Sequence, residues 1–476
     1  MKHIKNINCI GKFKKVLSLK SAYLLMHSIL FCLIIGLNSC SDFVEVDPPK
    51  NLLISETVFD NPATVESVLA NIFYKMREQG MVSGKFGLTT LMGIYCDELD
   101  YYGFDASYSE LYHHNVTAPN TIVLSWWSNA YNLVYAANDI IAGVENSSAL
   151  STEELNRFKG QALFVRAYVH SLLVSIFGEV PYITTTDYIA NGSVSRSPSN
   201  IVFNDIISDL TNAVSLLENA EASGERVLPN QSAAKALLAR MYLYTENWEL
   251  AEAISTELID THSLELDINS VFLKESPETL WQLKPGDSPR NTDEANELII
   301  QFIPGQQYAL TNTLLTAFEP GDLRLPNWTG EITNTDGTIT LHFAHKYKAT
   351  ITETESLEYS IVFRLAEQYL IRAEARAQLG NLSGAQLDLN MIRNRAGLPN
   401  TTANSMNDLM DAVVQERRVE LFAEQGHRWF DLKRTGNAGA FLSAVKPNWQ
   451  ATHVLLPIPE TELELNPNLF PQNSGY

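Results

Sequence analysis

Cysteine is scarce in this chain, and the four that are present, Cys9, Cys32, Cys40 and Cys96, stand far apart. Two, Cys9 and Cys32, fall within the first 39 residues, so a disulfide-stapled scaffold is excluded. No second thiol stands near Cys96 to make a zinc site, and there is no His-Glu-x-x-His. His113-His114 is the only histidine doublet, and neighbouring side chains on an extended segment point apart. A Gly-x-Ser-x-Gly nucleophile elbow and a dinucleotide fingerprint are also missing. Gly80–Lys85 is one residue short of a phosphate loop and is not followed by Ser or Thr. The expectation is therefore no catalytic residues, no metal and no cofactor. Positive charge is scarce too: 34 Lys and Arg stand against 55 Asp and Glu, a net charge of −21. Such a chain is a poor ligand for nucleic acid, whose affinity comes from neutralising phosphates.

There is one long apolar run, Ala22–Leu37, preceded by six lysines and no acid. A basic segment followed by a run shorter than a membrane span reads as a secretory signal. Leu37-Asn38-Ser39-Cys40 resembles a bacterial lipobox, with cleavage before Cys40 and lipidation of its thiol. Residues 1–39 are thus expected to be a signal peptide and Cys40 a lipid anchor, holding the protein through buried CH₂ groups. Residues 40–52, acidic and then stiffened by Pro48-Pro49, form a tether.

The mature part carries two similar segments. In "AAKALLARMYLYTENWELAEAISTELI", Ala239 and Ala251 lie twelve apart around a turn at Glu246-Asn247. In "FRLAEQYLIRAEARAQLGNLSGAQLDLNMIRNRAG", Ala373 and Ala385 do the same around Gly380-Asn381. Small residues at these places let antiparallel helices approach, as in tetratricopeptide repeats. Further amphipathic helices are expected over 62–79, 121–145, 152–177, 199–219 and 407–426, with Asp60 or Asn61 starting the first. Between about 261 and 360 helical periodicity fades and Pro, Gly, Asn and Thr increase. There, "GEITNTDGTITLHFAHKYKAT" reads as a hairpin turning at Asp336-Gly337. The expected fold is mainly α. A tetratricopeptide-like helix-pair scaffold (53–260 and 361–426) carries an inserted loop-rich lobe with short β-hairpins (261–360). An extended C-terminal segment (427–476) completes the 53–476 domain.

Several stretches in order resemble the SusD/RagB family of outer-membrane nutrient-binding lipoproteins. They are "VDPPKNLLISETVFDNPATVESVLANIFYKM", "WWSNAYNLVYAANDIIAGV", "KGQALFVRAYVHSLLVSIFGEVPYI", the two repeat segments, "ERRVELFAEQGHRWFDLKRTG" and "LLPIPETELELNPNLFPQNSGY". Gln161 departs from the acid common there. The resemblance implies a surface-exposed, lipid-anchored outer-membrane protein that binds oligosaccharide or polysaccharide. It further implies delivery to a partner SusC-like TonB-dependent transporter. A peptide-binding member of the family is the alternative, and a surface glycoside hydrolase a more distant one.

The chemistry of binding is sought in "YCDELDYYGFDASYSELY", residues 95–112. It holds six aromatics in 18 residues, against 10% aromatic residues in the whole chain. They alternate with Asp, Glu, Ser and Gly, which suits sugars that offer an apolar C–H face and a rim of hydroxyls. Trp328, beside Asn, Thr and Gly, reads as an exposed platform. By resemblance the ligand-binding residues are Tyr101, Tyr102, Phe104 and Tyr108 from the early loop, with Trp281 and Trp328 from the insertion. Arg166, Arg428, Trp429, Asp431 and Arg434 read instead as scaffold: packing and satisfied ion pairs. So do Trp126, Trp127, a turn at Asn466-Pro467-Asn468, and Cys96 as a small buried hydrophobe.

Overall fold

A computed structural model describes residues 58–218, 224–287 and 290–476. The signal peptide, Cys40 and the tether lie outside the described residues. The first helix, α1 (Pro62–Glu78), starts where Asn61 accepts a 2.9 Å hydrogen bond from the Ala63 amide and Pro62 occupies the first turn. A short α2 (Leu88–Tyr95) leads to β1 (Leu99–Tyr101) and α3 (Ala106–His113). Two long helices follow, α4 (Thr121–Asn146) and α5 (Thr152–Phe177). α5 is opened by a Ser151–Glu154 capping box and stops at Gly178. It is long and apolar enough to cross a membrane, yet its apolar stretch is entirely buried in protein, so it is the central helix of the core. α6 (Ser199–Leu216) packs along it.

The first repeat pair is α7 (Gln231–Tyr244) and α8 (Trp248–Thr261). The inserted lobe then supplies β2 (Thr279–Leu283), β3 (Tyr308–Leu310), β4 (Thr329–Thr333), β5 (Thr340–Ala344) and β6 (Ser360–Arg364). The second pair is α9 (Leu365–Gln378) and α10 (Leu382–Arg395), with α11 (Met406–Glu420) beside it. Ala239, Ala251, Ala373 and Ala385 are all fully buried, as the helix-pair reading requires. Although 261–360 separates the pairs in sequence, α8 packs directly on α9. Ala239, Leu243 and Ala251 share one apolar cluster with Ile371 and Ala375. The scaffold is therefore continuous, and the lobe is looped out of it.

Among the described residues the lobe's strands form three antiparallel pairs. β2 pairs with β6 at its base, with Trp281 opposite Phe363. β4 and β5 form the expected hairpin, and Gly337 supplies its positive φ of 75°. β3 pairs with β1, Tyr308 opposite Tyr101, which ties the lobe to the early aromatic segment.

The C-terminal part corrects one expectation. Residues 427–476 are not simply extended, since α12 (His427–Arg434) and helices Ala438–Val445 and Glu460–Leu465 lie within them. α12 is held by burial of Trp429 and Phe430 and by Asp431, which accepts from Arg417 (2.7 Å) and Arg434 (2.8 Å). The scaffold readings are otherwise borne out. Arg166 grips Asp209 with two 2.7 Å bonds, Arg428 grips Asp97, and Trp126, Trp127 and Cys96 are buried.

Candidate functional site

The six residues expected to bind ligand divide sharply. Trp281 is fully buried, edge-on to Phe164 (5.0 Å between ring centroids) and Tyr168 (5.7 Å). Its indole N–H donates to the Val227 carbonyl at 3.2 Å. Trp328 is 1% exposed, and its N–H donates to the Ile268 carbonyl at 2.8 Å. Its ring lies beside buried charge: Lys346 Nζ is 4.8 Å and the Arg395 guanidinium 5.8 Å from the ring centroid. Behind these cations, Arg364 reaches Glu278 (3.0 Å), Glu420 (2.6 Å) and Glu424 (2.7 Å). Burial alone would raise the Glu420 carboxyl, but Arg395, Arg364 and Arg324 outweigh it and hold the group well below the usual range. Neither tryptophan is a platform. Each has its polar atom satisfied internally and its ring packed on aromatic rings or cations, which corrects the expectation for both.

The early-loop aromatics are only partly exposed. Tyr108 is 3% exposed and stacks on Tyr101 at 5.8 Å, so it supports that ring rather than facing outward. Its phenol donates to the Lys85 carbonyl at 3.3 Å. Tyr101 is half-buried, with Tyr308 at 5.8 Å and Tyr112 at 6.4 Å. Its hydroxyl accepts from the Asp105 amide at 3.1 Å, and its ring covers Gly103 so closely that a Cβ there would stand 2.4 Å from the phenol oxygen. A larger residue at 103 would have to displace that ring. This stack, set on the β1–β3 ribbon, presents two residues to solvent: Tyr102 at 40% and Phe104 at 102% relative exposure.

The ribbon extends beyond its strands, because the Tyr102 amide donates to the Gln307 carbonyl at 2.8 Å. This brings in the segment Ile299–Gln307, where sequence reasoning placed no ligand residue. Phe302 is exposed on it, folded over Gly305, where a Cβ would meet the ring at 1.9 Å. A cleft of about 220 Å³ opens there, lined by Asn296, Glu297, Gln301, Phe302, Gln306 and Tyr308. The missed signal was legible: "QFIPGQQY" sets an aromatic among amides and a Pro-Gly pair inside the insertion. Burial raises the Glu297 carboxyl, and Lys85 opposes that shift. The arrangement offers apolar rings for stacking and amide or carboxylate groups for hydrogen bonds. Among the described residues no cluster of His, Cys, Asp and Glu is placed to hold a metal ion.

Two family models match the chain: one described as "Starch-binding associating with outer membrane" over residues 42–243, the other as "SusD family" over 325–476. SusD-like protein P2 of Formosa agariphila is 26% identical, over 93% of this chain and 98% of its own. A SusD-like protein of Bacteroides ovatus is 24% identical over 68% of each chain. Among solved structures, a SusD superfamily protein from Bacteroides vulgatus superposes with a TM-score of 0.78 at 21% identity, covering 88% of this chain and 100% of the other. A laminarin-binding SusD-like protein gives a TM-score of 0.73 at 22% identity, over 87% and 99%.

Proposed function

The chain belongs to the SusD/RagB family, and from that premise we propose that it captures oligosaccharides on Tyr102, Phe104 and Phe302. One observation carries this reading. The two strands that join early loop to lobe tie the segment of exposed Tyr102 and Phe104 to the one whose exposed Phe302 lines a cleft edged with amides. Stacking and hydrogen bonds supply affinity, and no bond is made or broken. Laminarin is the first ligand to try, because a SusD-like protein of the same fold binds it; starch and an unrelated peptide are the comparisons. Isothermal titration of wild type and Tyr102→Ala/Phe104→Ala tests the site. Loss of one ring is expected to weaken binding roughly five- to a hundredfold, by analogy with about 1–3 kcal/mol per stacked base, and the double variant by more than either single loss. Its melting temperature should hold. Unchanged affinity removes this site, and binding of peptide alone turns the reading to the peptide-binding alternative.

Delivery completes the proposal. Cys40 would carry the lipid that holds the protein at the outer membrane, and the captured glycan would pass to a TonB-dependent barrel. Cys40→Ala is expected to release the protein from the membrane fraction or to block its processing. Co-purification with a barrel transporter in mild detergent checks the partnership, since a stable interface should exceed about 1,000 Å².

A further inference from the structure

A cavity of about 590 Å³ lies away from the aromatic cleft, between the C-terminal end of α5, α12 and the C-terminal segment. Its size is that of a pocket for a small organic molecule. Val174, Phe203, Phe430, Val454 and Leu455 give it apolar walls, and Lys433 brings an amine to it. An ammonium has three N–H donors. That of Lys433 has one partner shown, the Ser175 carbonyl at 2.5 Å. Among the described residues it forms no ion pair, whereas Lys346 is neutralised by Glu424, and Arg434 by Glu374 and Asp431. Lys446 likewise has no acid, but it is saturated by the carbonyls of Ile94 and Tyr112 and by the Tyr112 ring at 4.0 Å.

The other ionisable groups on the wall are Glu179, Arg196, Arg434 and Tyr244. Glu179 stands 3.9 Å from Arg196, whose other bonds go to the Glu179 and Pro471 carbonyls and to Asn473. Among the described residues no carboxylate stands within ion-pair distance of Lys433. A partly desolvated cation with unspent donors, facing an apolar cavity, lacks a counter-ion. We propose that this cavity binds a small organic carboxylate with an apolar body, its carboxylate paired with Lys433 and its body lying against Phe203 and Phe430. The site is separate from the glycan cleft and does not rest on that reading.

Loss of hydration brings the Lys433 amine down to about 7. Pairing needs the protonated amine, so affinity should be level below that pH and fall as pH rises through it. The probes are benzoate, hexanoate and the uncharged benzyl alcohol, titrated into the mature chain at pH 6 and pH 9 with calorimetry or ligand-observed NMR. Expected at pH 6 is binding of both carboxylates, with benzyl alcohol at least roughly tenfold weaker. Lys433→Met should abolish that preference and leave laminarin titration unchanged. Because the methionine removes a poorly solvated charge, the melting temperature should hold or rise. Ser474→Trp, which fills the mouth of the cavity and keeps the lysine, should also abolish carboxylate binding; it decides the matter if Lys433→Met does not fold. Absence of carboxylate binding to wild type, or equal binding of benzoate and benzyl alcohol, overturns the proposal. So does a lowered melting temperature in Lys433→Met with no change in probe binding, which would make Lys433 a clamp on the carbonyl end of α5.

Discussion

The surroundings of Trp328 and of Phe104 look alike in sequence and are opposite in space. Each ring sits among polar and charged residues. Around Trp328 those charges are Lys346, Arg364, Arg395 and their glutamates, folded inward and buried. Around Phe104 the polar groups are solvated, and the ring is fully exposed. Polar neighbours therefore do not mark an exposed aromatic. What separates the two is whether the neighbours' charges find partners within the protein. The boundary between the two regimes lies within one short segment. Asp97 and Glu98 are buried among ion pairs and backbone donors, and four residues later Tyr102 is open to water.

The largest effect expected from this contrast is that of Trp328→Ala. It removes a buried ring that packs on cations, and by comparison with large aromatic truncations it should cost about 3–5 kcal/mol of stability. Denaturant unfolding measures this. A variant as stable as wild type but defective in laminarin binding would break the comparison and restore Trp328 to the site.

A smaller effect, with a definite pH dependence, is expected at Glu98. Burial and the adjacent Asp97 push its carboxyl up to about 7, while one oxygen accepts from the Ala423 amide at 3.2 Å and the other has no partner. The folded state thus holds this proton more tightly than the unfolded chain. The associated stability is fully present below the unfolded value of 4.5 and is lost as pH rises through about 7. Glu98→Gln is neutral throughout. It should therefore match wild type near acidic pH and exceed it at pH 8. The gain is at most a few kcal/mol, since a tenfold change in proton affinity is worth about 1.4 kcal/mol. Urea melts at the two pH values check this, and an equal difference at both would show that Glu98 is solvated like the residues beyond it.

The smallest stability effect should come from Phe302→Ala, since an exposed ring contributes little core burial. Its expected signature is a laminarin affinity lowered by roughly five- to a hundredfold with an unchanged melting temperature. A lowered melting temperature with intact affinity would place Phe302 with the packing aromatics instead.

Local patterns of the chain determined much of this protein. The apolar periodicity marked the long helices, the alanines twelve apart marked the two helix pairs, and Asp336-Gly337 marked the hairpin, because each is dictated by neighbours within a turn or two. The concentration of aromatics over 95–112 was likewise visible in the chain, and two of its rings, Tyr102 and Phe104, prove to be exposed. Only the tertiary structure decided which aromatics face water. Trp281 and Trp328 are buried by partners such as Phe164, Tyr168, Lys346 and Arg395, and sequence spacing does not reveal how close those stand. The same limit hid Phe302, whose segment is tied to Tyr102 through Gln307 because β1 pairs with β3 across some 200 residues. It also hid Lys433, whose missing counter-ion is a property of everything folded around it. Backbone preference is local and can be read along the chain, whereas burial and charge compensation are sums over neighbours that only folding brings together.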